Sequence, residues 1–116
     1  MKRASAFAVV LLSGIVSSAL AQEVSLGKIT LAAGEKRTIV VESKTPFKVG
    51  YTNESTMEQL KSCKKMCIQM NVVGDPFSMV AASVGTTIGV KPTDGKAEIV
   101  FQNLEAFQIM ISVFRK

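Results

Sequence analysis

Histidine and tryptophan are absent from this chain of 116 residues, and tyrosine occurs once, at Tyr51. Without His there is neither the commonest general base nor the commonest metal ligand. Triads built on His, two-His zinc sites and His-ligated haem are excluded with it. With no Trp and a single Tyr, a stacked aromatic platform for sugars is poorly supported. Arginine is scarce as well: past residue 21 only Arg37 and Arg115 remain. The clustered Arg with interleaved aromatics that grips nucleic acid is therefore missing. No phosphate loop is present, since Gly85-Thr86-Thr87-Ile88-Gly89 lacks a following Lys-Ser/Thr. What remains is 47% hydrophobic and 20% charged residues, the composition of one packed core rather than a disordered tail.

The first segment has the pattern of a cleaved secretory signal peptide spanning residues 1–21. Lys2 and Arg3 form a positive start, Phe7 to Ile15 a short apolar stretch, and Ala19-Leu20-Ala21 a small–x–small cleavage site. Ser13, Gly14, Ser17 and Ser18 interrupt the run, so a membrane-spanning helix is not expected, and no later run reaches spanning length. The remaining domain is 22–116, and its location would be periplasmic or secreted. Removing Lys2 and Arg3 from the 14 basic residues leaves 12 against 9 acidic ones, a mild excess.

Short runs rich in Val, Ile, Thr and Phe then alternate with Gly, Pro and Asp turns, which predicts strands. Val24 and Leu26 alternate, and the phase slips at Gly27 before Ile29 and Leu31, as at a β-bulge. Ala33-Gly34-Glu35 has hairpin length and leads into Arg37–Val41 as a return strand. Phe47, Val49 and Tyr51 alternate next, and Ile68, Met70 and Val72 do so further on. Phe77 to Val84 is uncharged and mostly apolar, which predicts a central strand covered on both sides. Pro92-Thr93-Asp94-Gly95 reads as a turn, and Phe107 to Phe114 as a core strand. Between them, residues 55–66 carry Ser55-Thr56-Met57-Glu58, a capping box, and predict a helix of about three turns resting Leu60 and Cys63 on the core. The expected fold is all-β: about eight strands in a two-layer antiparallel sandwich with Greek-key or immunoglobulin-like connections, a small barrel being the alternative.

Two cysteines in an exported chain suggest one disulfide, Cys63–Cys67, across a very small loop. Sulfurs four apart on a regular helix do not meet, so a bridge requires the helix to end or tighten between them. The alternative is a Cu(I) carrier in which Cys63, Cys67, Met66 and Met70 act as soft ligands. Reactive free thiols beside lysines are a third reading. Lys61, Lys64 and Lys65 form the one local basic cluster, a candidate contact for an acidic partner. No pair of carboxylates stands out as glycosidase machinery; most acids read as solvated surface, with Asp75 and Asp94 in turns and Glu58 in a cap. Asn53-Glu54-Ser55 is a glycosylation sequon. The expectation is a small exported binding module, not an enzyme, that takes no cofactor and meets another exported or cell-envelope protein as inhibitor, holding chaperone or accessory subunit. The copper carrier and an enzyme with an unrecognised carboxylate site are the competing readings.

Overall fold

The computed structural model describes residues 23–116, so the expected signal peptide at 1–21 lies outside the described residues. The chain forms β1 (Val24–Leu31), β2 (Lys36–Glu42), β3 (Phe47–Asn53), α1 (Met57–Ser62), β4 (Ile68–Val72), β5 (Met79–Ala82), β6 (Gly85–Val90), β7 (Lys96–Asn103) and β8 (Ile109–Arg115). The strands make two four-stranded sheets, β1-β8-β3-β6 and β2-β7-β4-β5. All pairings are antiparallel. The chain pairs as if folded in half: β1 with β8, β2 with β7, β3 with β6, β4 with β5. Every connection except β4–β5 crosses between sheets. That strand order is a jelly roll, the double Greek key of two-sheet sandwiches. Among the described residues no helix is long and apolar enough to cross a membrane.

Alternation puts Leu31, Val49, Tyr51, Ile109, Ile111 and Val113 on the inner face of the first sheet. Val41, Ile68, Met70, Val72, Ile99 and Phe101 line the second, and all twelve are buried. Each such side chain contributes about 1.5–3 kcal/mol by leaving water. The Tyr51 and Phe101 rings meet edge to face, their centroids 5.9 Å apart, and tie the two layers at mid-core. The bulge expected at Gly27 is present: the register between β1 and β8 shifts between Ser25 and Gly27, where φ is +111°. On the outer face of the first sheet the Phe114 ring covers Gly50, filling the space a Cβ would take.

Three local expectations are corrected. Ala33-Gly34-Glu35 does not close a hairpin, because β1 and β2 belong to different sheets. The turn is held instead by the Glu35 carboxylate, which accepts from the Ala32 N–H (2.8 Å) and the Arg37 guanidinium (3.0 Å). The helix has six residues rather than three turns, and its cap is Thr56, whose hydroxyl accepts from the Gln59 N–H, not Ser55 with Glu58. It ends because Cys63 turns extended, at φ −70° and ψ 128°. The third correction is the largest. Phe77–Val84 is not central: β5 is an edge strand, Met79 is 54% exposed and Phe77 is 95% exposed.

Candidate binding surface

The expected bridge is formed. Cys63 and Cys67 are joined, with Cα atoms 5.2 Å apart, and the helix stops before the loop as the bridge requires. Met66 and Cys67 both adopt positive φ, 72° and 60°, a conformation costly for non-glycine residues. What holds it lies elsewhere in the sequence. The Glu105 carboxylate, in the β7–β8 connection, accepts the N–H groups of Lys64 (2.9 Å), Lys65 (2.7 Å) and Cys67 (3.1 Å). Successive backbone donors in such a turn form an anion-binding nest, and here the anion is the protein's own. Burial pushes the Glu105 carboxyl up, but those three donors and the Lys65 charge outweigh it, so it titrates below the usual range. Asn103 completes the latch. Its Oδ1 accepts from the Glu105 N–H (2.9 Å), and its Nδ2 lies within bonding distance of the Phe107 (2.7 Å), Leu31 and Ala32 carbonyls (3.1 Å each). Glu105 is therefore not solvated surface, as most acids were expected to be; it is 8% exposed.

The copper ligands are not brought together. The two sulfurs bond each other, Met70 is fully buried on the inner face of β4, and Met66 stands 52% exposed on the loop. Among the described residues no three His, Cys, Asp or Glu side chains group as a metal site. Lys61, Lys64 and Lys65 are exposed as expected, but the Glu105 charge beneath the loop offsets part of theirs. Asn53 is closed as a glycan acceptor in the folded domain. It is 7% exposed, and its Nδ2 donates to the Ser83 carbonyl at 2.8 Å.

The strongest unassigned feature is a side of the sandwich with no charge on it. From Pro76 to Val90 there is no Lys, Arg, Asp or Glu, the longest such stretch among the described residues. It spans β5, β6 and the corner between them, so it forms the open edges of both sheets on one side. The corner is pinned from β3: the Tyr51 hydroxyl donates to the Ala82 carbonyl (2.7 Å), and Asn53 donates to the Ser83 and Val84 carbonyls (2.8 Å each). Gly85 fits there at φ +151° because a Cβ would collide with the Tyr51 carbonyl.

Phe77 sits on the β4–β5 turn, and Asp75 locks that turn. Its carboxylate accepts from the Phe77 N–H (3.0 Å) and the Ser78 hydroxyl (2.7 Å). The Ser78 hydroxyl and the Phe77 amide hold the Asp75 carboxyl below its usual range. Val73 continues the extended chain beyond β4, its N–H donating to the Glu98 carbonyl at 2.9 Å. Alternation then places Val73 and Met79 on the outer face of the second sheet, in line with Val40 and Val100. Val40 is 57% and Val73 50% exposed. Gln69, Asn71, Gln102 and Thr38 fill the rest of that face, and its charges are confined to Lys36, Lys96, Glu98 and Glu42.

A separate cleft of about 720 Å³ lies at one end of the sandwich, floored by Phe47 and Val90 and rimmed by Lys48, Lys91, Lys116 and Asp75. The Asp75 carboxylate there is already committed to the turn. Sequence reasoning missed Val40, Val73, Phe77 and Met79 as surface. The signal was present in the charge-free run itself, which fits an unguarded edge as well as a buried strand. No protein-family model and no curated protein matches the chain.

Proposed function

We propose that the protein is a small exported binding module, not an enzyme, that acts by docking another exported or envelope protein on the outer face of its second sheet. The observation that carries this is Phe77: a side chain 95% exposed, on a turn whose backbone Asp75 has already ordered. An exposed aromatic on an ordered turn gains apolar burial on docking, and its backbone gives up little conformational freedom. Val73 and Met79 extend it beside Gln69 and Asn71, and the exposed Glu98 separates this apolar edge of the face from Val40. The fitting partner presents an apolar pocket for one aromatic ring and few charges around it.

The test is capture from the envelope fraction of the source cells by immobilised wild-type protein and by Phe77→Ser, followed by calorimetry on the captured protein. Phe77 packs on nothing in its own fold, so the variant folds as well as the wild type. The expected result is one specific partner whose affinity falls by about 30-fold or more in Phe77→Ser, the loss typical of a central aromatic anchor. Equal capture by the two proteins, or capture of nothing, overturns the reading.

A further inference from the structure

Open sheet edges invite pairing with other strands, and proteins blunt them with Lys, Pro, bulges or short length. On one side of this sandwich those devices are in place: β1 has its bulge at Gly27 and Lys28, and β2 carries Lys36 and Arg37. On the other side β5 reads Met79-Val80-Ala81-Ala82, with no charge, no Pro and no bulge. Its ladder with β4 tells which backbone groups are free. The Val72 N–H donates to the Ser78 carbonyl at 3.1 Å, so bonded positions recur at Met70/Val80, and the N–H and C=O of Met79 and Ala81 turn outward to the open edge.

We propose that β5 is a self-association edge, on which a second copy of this chain pairs antiparallel, Met79 of each copy opposite Ala81 of the other. Four backbone hydrogen bonds then close about a two-fold axis at Val80, and the two second sheets become one of eight strands. The occupant follows from charge. A two-fold axis sets each residue near it against its own copy, so a charged residue there repels itself. A chain of net charge +5 therefore self-pairs most readily where it has no charge, and Pro76–Val90 is the longest such stretch among the described residues. The edge is also ordered beforehand, since Tyr51 and Asn53 fix the Ala82, Ser83 and Val84 carbonyls. The chain turns into the other sheet after Ala82, which limits pairing to four residues, and the two-fold pairing uses the same edge of both copies, so nothing is left on that edge for a third. The result is a closed dimer rather than a fibre. This inference rests on the proposed docking face, because the pairing sets two copies of Phe77, Met79 and Val73 on one continuous surface and doubles its valency.

The test is sedimentation equilibrium of the purified protein over a wide dilution series, alongside Ala81→Lys, Ala81→Pro and the control Thr38→Lys. Ala81 and Thr38 are both exposed on the same outer face, but only Ala81 lies on the open β5 edge. The wild type and Thr38→Lys are expected at twice the monomer mass, and both Ala81 variants at the monomer mass with unchanged circular dichroism. Ala81→Pro removes an edge N–H that the monomer does not use; Ala81→Lys puts a charge opposite Met79 of the other copy on each side of the axis, so either one failing to fold leaves the other decisive. A monomeric wild type at every concentration overturns the inference, as does a dimer that survives whichever Ala81 variants fold. An edge that takes up an extended strand of another protein while the wild type stays monomeric overturns it too. A monomer that still loses its partner in Phe77→Ser would sink the dimer and leave the docking face standing; a dimer broken by Ala81→Lys beside unaltered capture by Phe77→Ser would do the reverse.

Discussion

On one side of the sandwich, β1 and β2 meet water with Lys28, Lys36, Arg37 and Glu42, and guanidinium groups bridge the gap between the sheets. Arg37 donates to the Thr30 carbonyl at 3.2 Å, and Arg115 donates to the Glu42 carbonyl at 3.3 Å while lying 4.7 Å over the Phe47 ring. On the other side, β5 and β6 offer no charge at all, and the gap is closed from within by Tyr51 and Asn53. Both solutions satisfy the core equally. The difference therefore concerns what each side shows to water: charged side chains on one, none on the other.

The same contrast separates two apolar runs, Phe107–Phe114 and Phe77–Val84. β8 lies between β1 and β3, and Ile109, Ile111 and Val113 are 1%, 0% and 1% exposed, whereas Met79 on edge strand β5 is 54% exposed. The largest expected effect tests this directly. Ile111→Ala should cost about 2–5 kcal/mol in denaturant unfolding, while Met79→Ala should stay within about 0.5 kcal/mol. Comparable losses would erase the distinction between a core strand and a presented one.

Next in size is the strut that pins the uncharged side. Tyr51→Phe leaves the half-buried Ala82 carbonyl without its side-chain donor, and about 1–3 kcal/mol should be lost. The wild type should also show an alkaline slope that the variant lacks. Burial pushes the Tyr51 hydroxyl up to about 12. Between the unfolded value of about 10 and that point, the folded state holds a proton the unfolded chain has released. Stability is thus complete below pH 10 and falls by about 2–3 kcal/mol as pH rises to 12. An unchanged slope in Tyr51→Phe would place the alkaline titration elsewhere.

A smaller effect, roughly 1 kcal/mol, is expected for Glu105→Gln, which keeps an acceptor in the nest but removes the charge. Since the Glu105 carboxyl is held below its usual range, its contribution is present above the unfolded value and disappears as pH falls through the folded one. Acid unfolding of wild type and variant should therefore converge at low pH. The smallest effect belongs to the guarded side: Lys36→Thr should leave the unfolding midpoint within about 0.5 kcal/mol while making that side less repellent to other strands.

Much of this architecture is legible in residue order. The phase slip at Gly27, the turn at Pro92–Gly95 and the alternation of Ile109, Ile111 and Val113 each follow from two-residue periodicity and turn chemistry. The end of the helix before Cys67 follows from the reach of a disulfide. Periodicity describes the two faces of a strand, however, and says nothing of its neighbours. That is why Ala33-Gly34-Glu35 looked like a hairpin although β1 and β2 sit in opposite sheets. It is also why an uncharged Phe77–Val84 looked buried when it is an edge. Glu105 was illegible for a related reason: its partners stand 38 to 41 residues away, and only the crossing loops bring them together.

The pairing of β1 with β8, from Val24 against Arg115 to Leu31 against Ile109, also carries a consequence in time. The first strand to be made finds its hydrogen-bonding partner only when the last has been made, and β2 likewise waits for β7. The β4–β5 hairpin is the most local pairing and β1–β8 the least, and a topology dominated by such distant pairings is one that favours slow folding.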